Sequence, residues 1–156
     1  IPAKFMERED PLRESYRISH TAPGKEDGVP LHDLLSGDVF PDDVYTHMHY
    51  YGTGERQMDS QAFHIIGKMR ARPNASVTIY RAAPEGVTRI NPGDWVTIVE
   101  DYAVRHGYDA DGPGNDWPVI AARVKASHLY TNGDSFLEWG YVGSSPVRGE
   151  RIDETI

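Results

Sequence analysis

The chain contains no cysteine. Disulfides, thiolate nucleophiles and cysteine-based zinc sites are therefore excluded. That absence fits a cytoplasmic protein and leaves secretion open. Positive charge is also scarce: 16 Lys and Arg stand against 24 Asp and Glu, a formal charge of -8. Such a balance opposes broad adhesion to nucleic acid or anionic membrane, though not a local basic pocket. No apolar run approaches the roughly 20 residues that a bilayer-spanning helix needs, so no membrane partner is expected. An initiator Met and a signal-like segment are missing too. The chain opens on Ile1, as a piece of a longer polypeptide would.

What is present suffices for one domain over 1–156, with 38% hydrophobic and 10% aromatic residues. Gly 15 and Pro 11 imply many turns, and a mean hydropathy of -0.57 implies a polar surface. Residues 1–55 read as an irregular or helical part. A short strand is expected at 16–18, a helical turn at 31–35, and another starting at Pro41 ahead of Asp42 and Asp43. The best helix spans 58–72, capped by Asp59 or Ser60, with Phe63, Ile66 and Met69 at helical spacing and Pro73-Asn74 as its stop. A motif-bearing β core follows over 76–142. Strands are expected at 77–82, 94–99, 118–126 and 136–142, with a short helix ending at Gly107. This order predicts an α+β fold with helices mainly in the N-terminal half.

Three strand-like segments each place one polar residue among apolar ones. VTIYRA ends on Arg81, GDWVTIVEDYA contains Thr97, and SFLEWGYV contains Glu138. A guanidinium suits phosphate and a carboxylate suits paired sugar hydroxyls, so together they suggest a site for an anionic, ribose-containing ligand. Taken singly, Arg81 is an ordinary solvated strand end and Thr97 an ordinary β-former. Glu138 lies among Phe136, Leu137, Trp139 and Tyr141. It should be solvated on one face or held in a functional cleft. His47 and His49 would share one face of a strand, but no third metal ligand is anchored by spacing. These histidines, with Tyr50 and Tyr51, better suit the lining of a ligand pocket or the support of a loop. The glycine loops at 52–55 and 111–116 lack the Lys-Ser/Thr of a P-loop.

The order Tyr80-Arg81, Thr97 followed by Tyr102-Ala103, then Glu138 resembles the ADP-ribosyltransferase family in its Arg-Ser/Thr-Glu branch. INPGDWVTIVEDYAVRHG is similar to the second motif of phage-associated and polymorphic-toxin members. The resemblance covers about 76–142. It implies a split β-sandwich and transfer of ADP-ribose from NAD+ to a macromolecular acceptor, protein or nucleic acid, without a metal. It implies catalytic roles for Glu138, Arg81 and Thr97, and NAD+ contacts from Arg81, Ala82, Thr97, Tyr102 and Glu138. Tyr102, Tyr108 or Trp117 would stack on nicotinamide, and Thr97 would orient Glu138 or the sugar. The setting implied is the cytoplasm of a producing or infected cell, or secretion as an effector. Phe136 stands where arginine-modifying members carry Gln or Glu, which points to other acceptors. The usual Ser-Thr-Ser is replaced by Val96-Thr97-Ile98. NAD+ hydrolysis, or a non-catalytic phage binding or structural module of the same fold, are the alternatives.

Overall fold

A computed structural model describes residues 22–152 of the chain. The strand expected at 16–18 lies outside the described residues. Within them the fold is α+β, with every strand pair antiparallel. In chain order the strands are β1 (Val29–Pro30), β2 (Ser76–Ala82), β3 (Arg89–Ile90), β4 (Trp95–Val96), β5 (Val119–Lys125), β6 (Leu129–Thr131), β7 (Trp139–Tyr141), β8 (Val147–Arg148) and β9 (Glu150–Arg151). Helix α1 (Arg56–Met69) precedes β2, and α2 (Glu100–Gly107) follows β4.

Alternation builds the longest pair. Val77 and Ile79 of β2 are buried, as are Ile120, Ala122 and Val124 of β5. The two strands pair along their whole length, from Ser76–Lys125 to Ala82–Val119, and β9 joins the far edge of β5. A second sheet runs β1-β6-β7-β4, while β3 and β8 form a separate ribbon. One hydrogen-bonded residue pair, Tyr80 with Thr97, connects β2 to the end of β4 and so joins the two larger sheets. Between the layers lies the core, which includes Ile79, Ile98, Tyr102, Ile120, Leu137 and Trp139.

Several expectations need correction. The turns at 31–35 and 41–47 do not grow into helices, and 48–51 forms a single 3-10 turn. The helices are not concentrated in the N-terminal half, since α2 lies in the second half. Helix α1 begins at Arg56 and ends at Met69, with Met58, Ala62, Ile66 and Met69 buried along one stripe. Asp59 is not its cap residue. Its carboxylate lies inside the first turn and accepts Thr53 N–H (2.8 Å), Gly54 N–H (3.0 Å) and the Thr53 hydroxyl (2.8 Å). At the other end, the turn from Arg70 into left-handed Ala71 (φ 63°) stops the helix before Pro73. The segment 94–99 is strand only at Trp95–Val96, with Thr97 as an isolated bridge. The segment 136–142 is strand only at Trp139–Tyr141. Before it, the Ser135 hydroxyl accepts Leu137 N–H at 3.0 Å and its carbonyl accepts Glu138 N–H at 3.2 Å, which forces a turn.

Gly140 of β7 lies between Trp95 and Tyr130 and directly against the Pro23 carbonyl, where a Cβ would overlap backbone. We expect Gly140→Ala to destabilise the fold by about 1–3 kcal/mol, the usual cost of overpacking. Chemical denaturation reads this directly, and an unchanged midpoint would rule out the close approach.

Candidate functional site

The polar residues singled out by the sequence fall on adjoining segments. Tyr80 and Thr97 exchange backbone hydrogen bonds at 2.8 and 3.0 Å, which brings the end of β2 beside β4. β4 in turn pairs with β7 through Trp95–Gly140 and Val96–Trp139. Continuing that register sets Thr97 opposite Glu138, and places Arg81 one residue further along β2 than Tyr80. Backbone topology therefore gathers all three segments.

Their side chains have different partners. Arg81 is half-buried, donates from Nη1 to the Trp95 carbonyl at 3.0 Å, and has Nε 4.0 Å from Asp94 Oδ2. Asp94 also accepts the Asn91 N–H at 2.8 Å, so the guanidinium faces a carboxylate already held by its own turn. Thr97 is buried, and its hydroxyl oxygen accepts the Val99 N–H at 3.2 Å, just ahead of α2. Ala82 is half-buried and packs beside Gly107 at the end of α2.

Glu138 is only 1% exposed. Water does not compensate its charge, so protein donors must. Its Oε2 accepts the Tyr102 hydroxyl at 2.6 Å, a short, charge-assisted geometry. Tyr102 comes from the buried face of α2, and its ring meets His106 edge-on at a centroid distance of 4.4 Å. Burial raises the Tyr102 pKa far above its usual value, and the Glu138 charge and hydrogen bond raise it further. Burial also raises Tyr80, with Glu100 adding to the effect.

Tyr102 thus belongs to the carboxylate and is not an open stacking surface. Of the other rings considered for nicotinamide, Tyr108 is exposed and Trp117 half-buried. Phe136 is a second correction. It is buried, stacked on Phe40 at 5.2 Å and met edge-on by Phe63 at 5.9 Å, so it faces the core and not an acceptor. His47 and His49 lie at a 3-10 turn instead of on a strand; His47 stacks on Tyr50 at 4.8 Å. The sequence reading missed His106. The spacing of Tyr102 and His106, four apart on a short helix, was the signal that both share its inner face.

Among the described residues, no helix is long and apolar enough to cross a membrane. The chain matches no protein-family model, no curated protein and no solved structure.

The raised Tyr102 pKa has a stability consequence. The folded protein keeps a proton that the unfolded chain releases near 10.0. Its contribution is complete below that pH and is lost as pH rises above it. Tyr45, Tyr80 and Tyr141 are also raised, chiefly by burial, and act with the same sign. Denaturation midpoints should fall between about pH 9 and about pH 11, and less steeply in Tyr102→Phe. Equal slopes for variant and parent would exclude this contribution from Tyr102.

Proposed function

We propose that the protein transfers ADP-ribose from NAD+ to a macromolecular acceptor, with an ADP-ribosyltransferase-like split β-sandwich as its scaffold. The observation that carries this reading is the adjacency of the Arg81, Thr97 and Glu138 segments through the Tyr80–Thr97 pair and the β4–β7 ladder. In the reaction the bond between ribose and nicotinamide breaks and nicotinamide leaves with the electron pair. The acceptor then bonds to the ribose carbon and gives up a proton. Positive charge grows on the sugar in between, and a fixed carboxylate stabilises it through charge and through the neighbouring hydroxyl. Glu138 fills that role. Arg81, with its side chain 31% exposed, can turn a guanidinium edge to a phosphate. Because Glu138 is 1% exposed, NAD+ entry requires displacement of the chain that covers it. The activity would be exercised in the cytoplasm of a producing or infected cell, as a phage or toxin-type effector.

One observation favours a second reading. A buried carboxylate bonded to a buried tyrosine also suits a purely structural pair, as in a non-catalytic phage binding module. Incubation with labelled NAD+ separates the possibilities. Labelled macromolecule supports transfer, free ADP-ribose supports hydrolysis with water as the acceptor, and unchanged NAD+ supports the non-catalytic module.

Glu138→Gln should lower turnover by on the order of 100-fold or more while the fold is retained, since it removes the charge that the transition state needs. Full turnover in a folded variant would dismiss Glu138 as the catalytic group. Arg81→Ala should weaken NAD+ binding by roughly 10- to 150-fold, the worth of one charge-assisted contact. Arg81→Lys should restore little of it, because ammonium lacks the planar fork. Calorimetry that finds equal affinity in variant and parent would confine Arg81 to its contacts with Trp95 and Asp94.

A further inference from the structure

The second motif has Val96-Thr97-Ile98 in place of the hydroxyl triplet, and the oxygen of its one hydroxyl, on Thr97, accepts the Val99 N–H at 3.2 Å ahead of α2. Support for Glu138 comes from another place in the chain. Tyr102, 36 residues away in sequence, donates its hydroxyl to Oε2 at 2.6 Å, and both residues are 1% exposed. The phenol is placed by its position on the buried face of α2 and by the edge-on ring of His106 one turn further along that helix. A donor so placed selects one rotamer of the carboxylate.

We infer that Tyr102 is a positioning residue of the site: its hydroxyl orients Glu138 for contact with the ribose. The inference rests on the transfer reading and assigns to α2 the supporting role expected of Thr97. Tyr102 touches neither NAD+ nor acceptor, so its removal lowers kcat and leaves the KM for NAD+ unchanged. The hydroxyl acts by donating, which means its strength as a donor tunes the rate. A side chain that only fills space has no such dependence.

The test uses the whole chain with Tyr102→Phe, and with 3-fluorotyrosine or 3,5-difluorotyrosine installed at position 102. Tyr102→Phe keeps the ring and its contact with His106. We expect kcat to fall about 10- to 100-fold at constant KM, in line with the loss of one hydrogen bond to a charged group. The fluorinated residues keep size and shape, stay folded, and should restore turnover in a manner graded with phenol acidity. A readout without turnover accompanies them: the fluorophenol should titrate at lower pH once Glu138→Gln removes the adjacent charge. Parent protein that leaves NAD+ intact overturns the transfer reading and the inference with it. Parent turnover with an unchanged kcat in Tyr102→Phe overturns the inference alone. So does a kcat that ignores fluorination, or a fluorophenol whose titration ignores Glu138→Gln.

Discussion

Tyr80 and Thr97 exchange two backbone hydrogen bonds, and through that pair the two larger sheets become one frame. On one side Tyr80 pairs with Ala121 in the long β2–β5 ladder. On the other, Thr97 continues β4, whose partner β7 begins directly after Glu138. Everything that gathers at the site depends on this junction. It sets the end of β2 beside the start of α2, and thereby fixes where Tyr102 can reach. Two such bonds contribute only about 1–3 kcal/mol net. Their importance is geometric, because the apolar core closes correctly only when the sheets meet in this register.

The elements legible in the sequence are those whose apolar residues repeat with a clear period. β2 and β5 alternate, and α2 carries Tyr102, Ala103 and His106 on one inner face, so their bounds fall close to expectation. The run FLEWGYV has strand composition but not strand geometry throughout. A single serine outweighs the β-propensity of Phe136 and Leu137, because its hydroxyl and carbonyl satisfy two backbone donors locally. Asp59 misleads in a similar way. As an acid near a helix start it resembles a cap, yet it accepts from the loop before the helix. Residues 31–55 carry little periodicity, and what forms there is turns.

That the Arg81, Thr97 and Glu138 segments adjoin was legible in the sequence, and the partners of their side chains were not. Arg81, Thr97 and Glu138 stand out as polar residues in apolar strands, and the fold does bring their segments together. Which hydroxyl meets Glu138 could not be read, since the bond spans 36 residues and depends on how α2 packs. Phe136 shows the same limit. Its place, where arginine-modifying members carry Gln or Glu, points to the acceptor, but its ring is committed to Phe40 and Phe63. Burial is a property of packing, and two sequence neighbours can lie in quite different surroundings.

The loop before α1 is tied unequally to the two helices. Arg105 of α2 pairs with Glu55 at 3.3 Å, which ties the helix that carries Tyr102 to the loop at 52–55. Both side chains are about half exposed, so this pair contributes little and cannot lock the two together. Asp59 is different. It is 5% exposed and accepts three hydrogen bonds from the loop, and Gly52 lies so close to its carboxylate that a Cβ would crowd it. The loop is therefore anchored to α1 firmly and to α2 loosely.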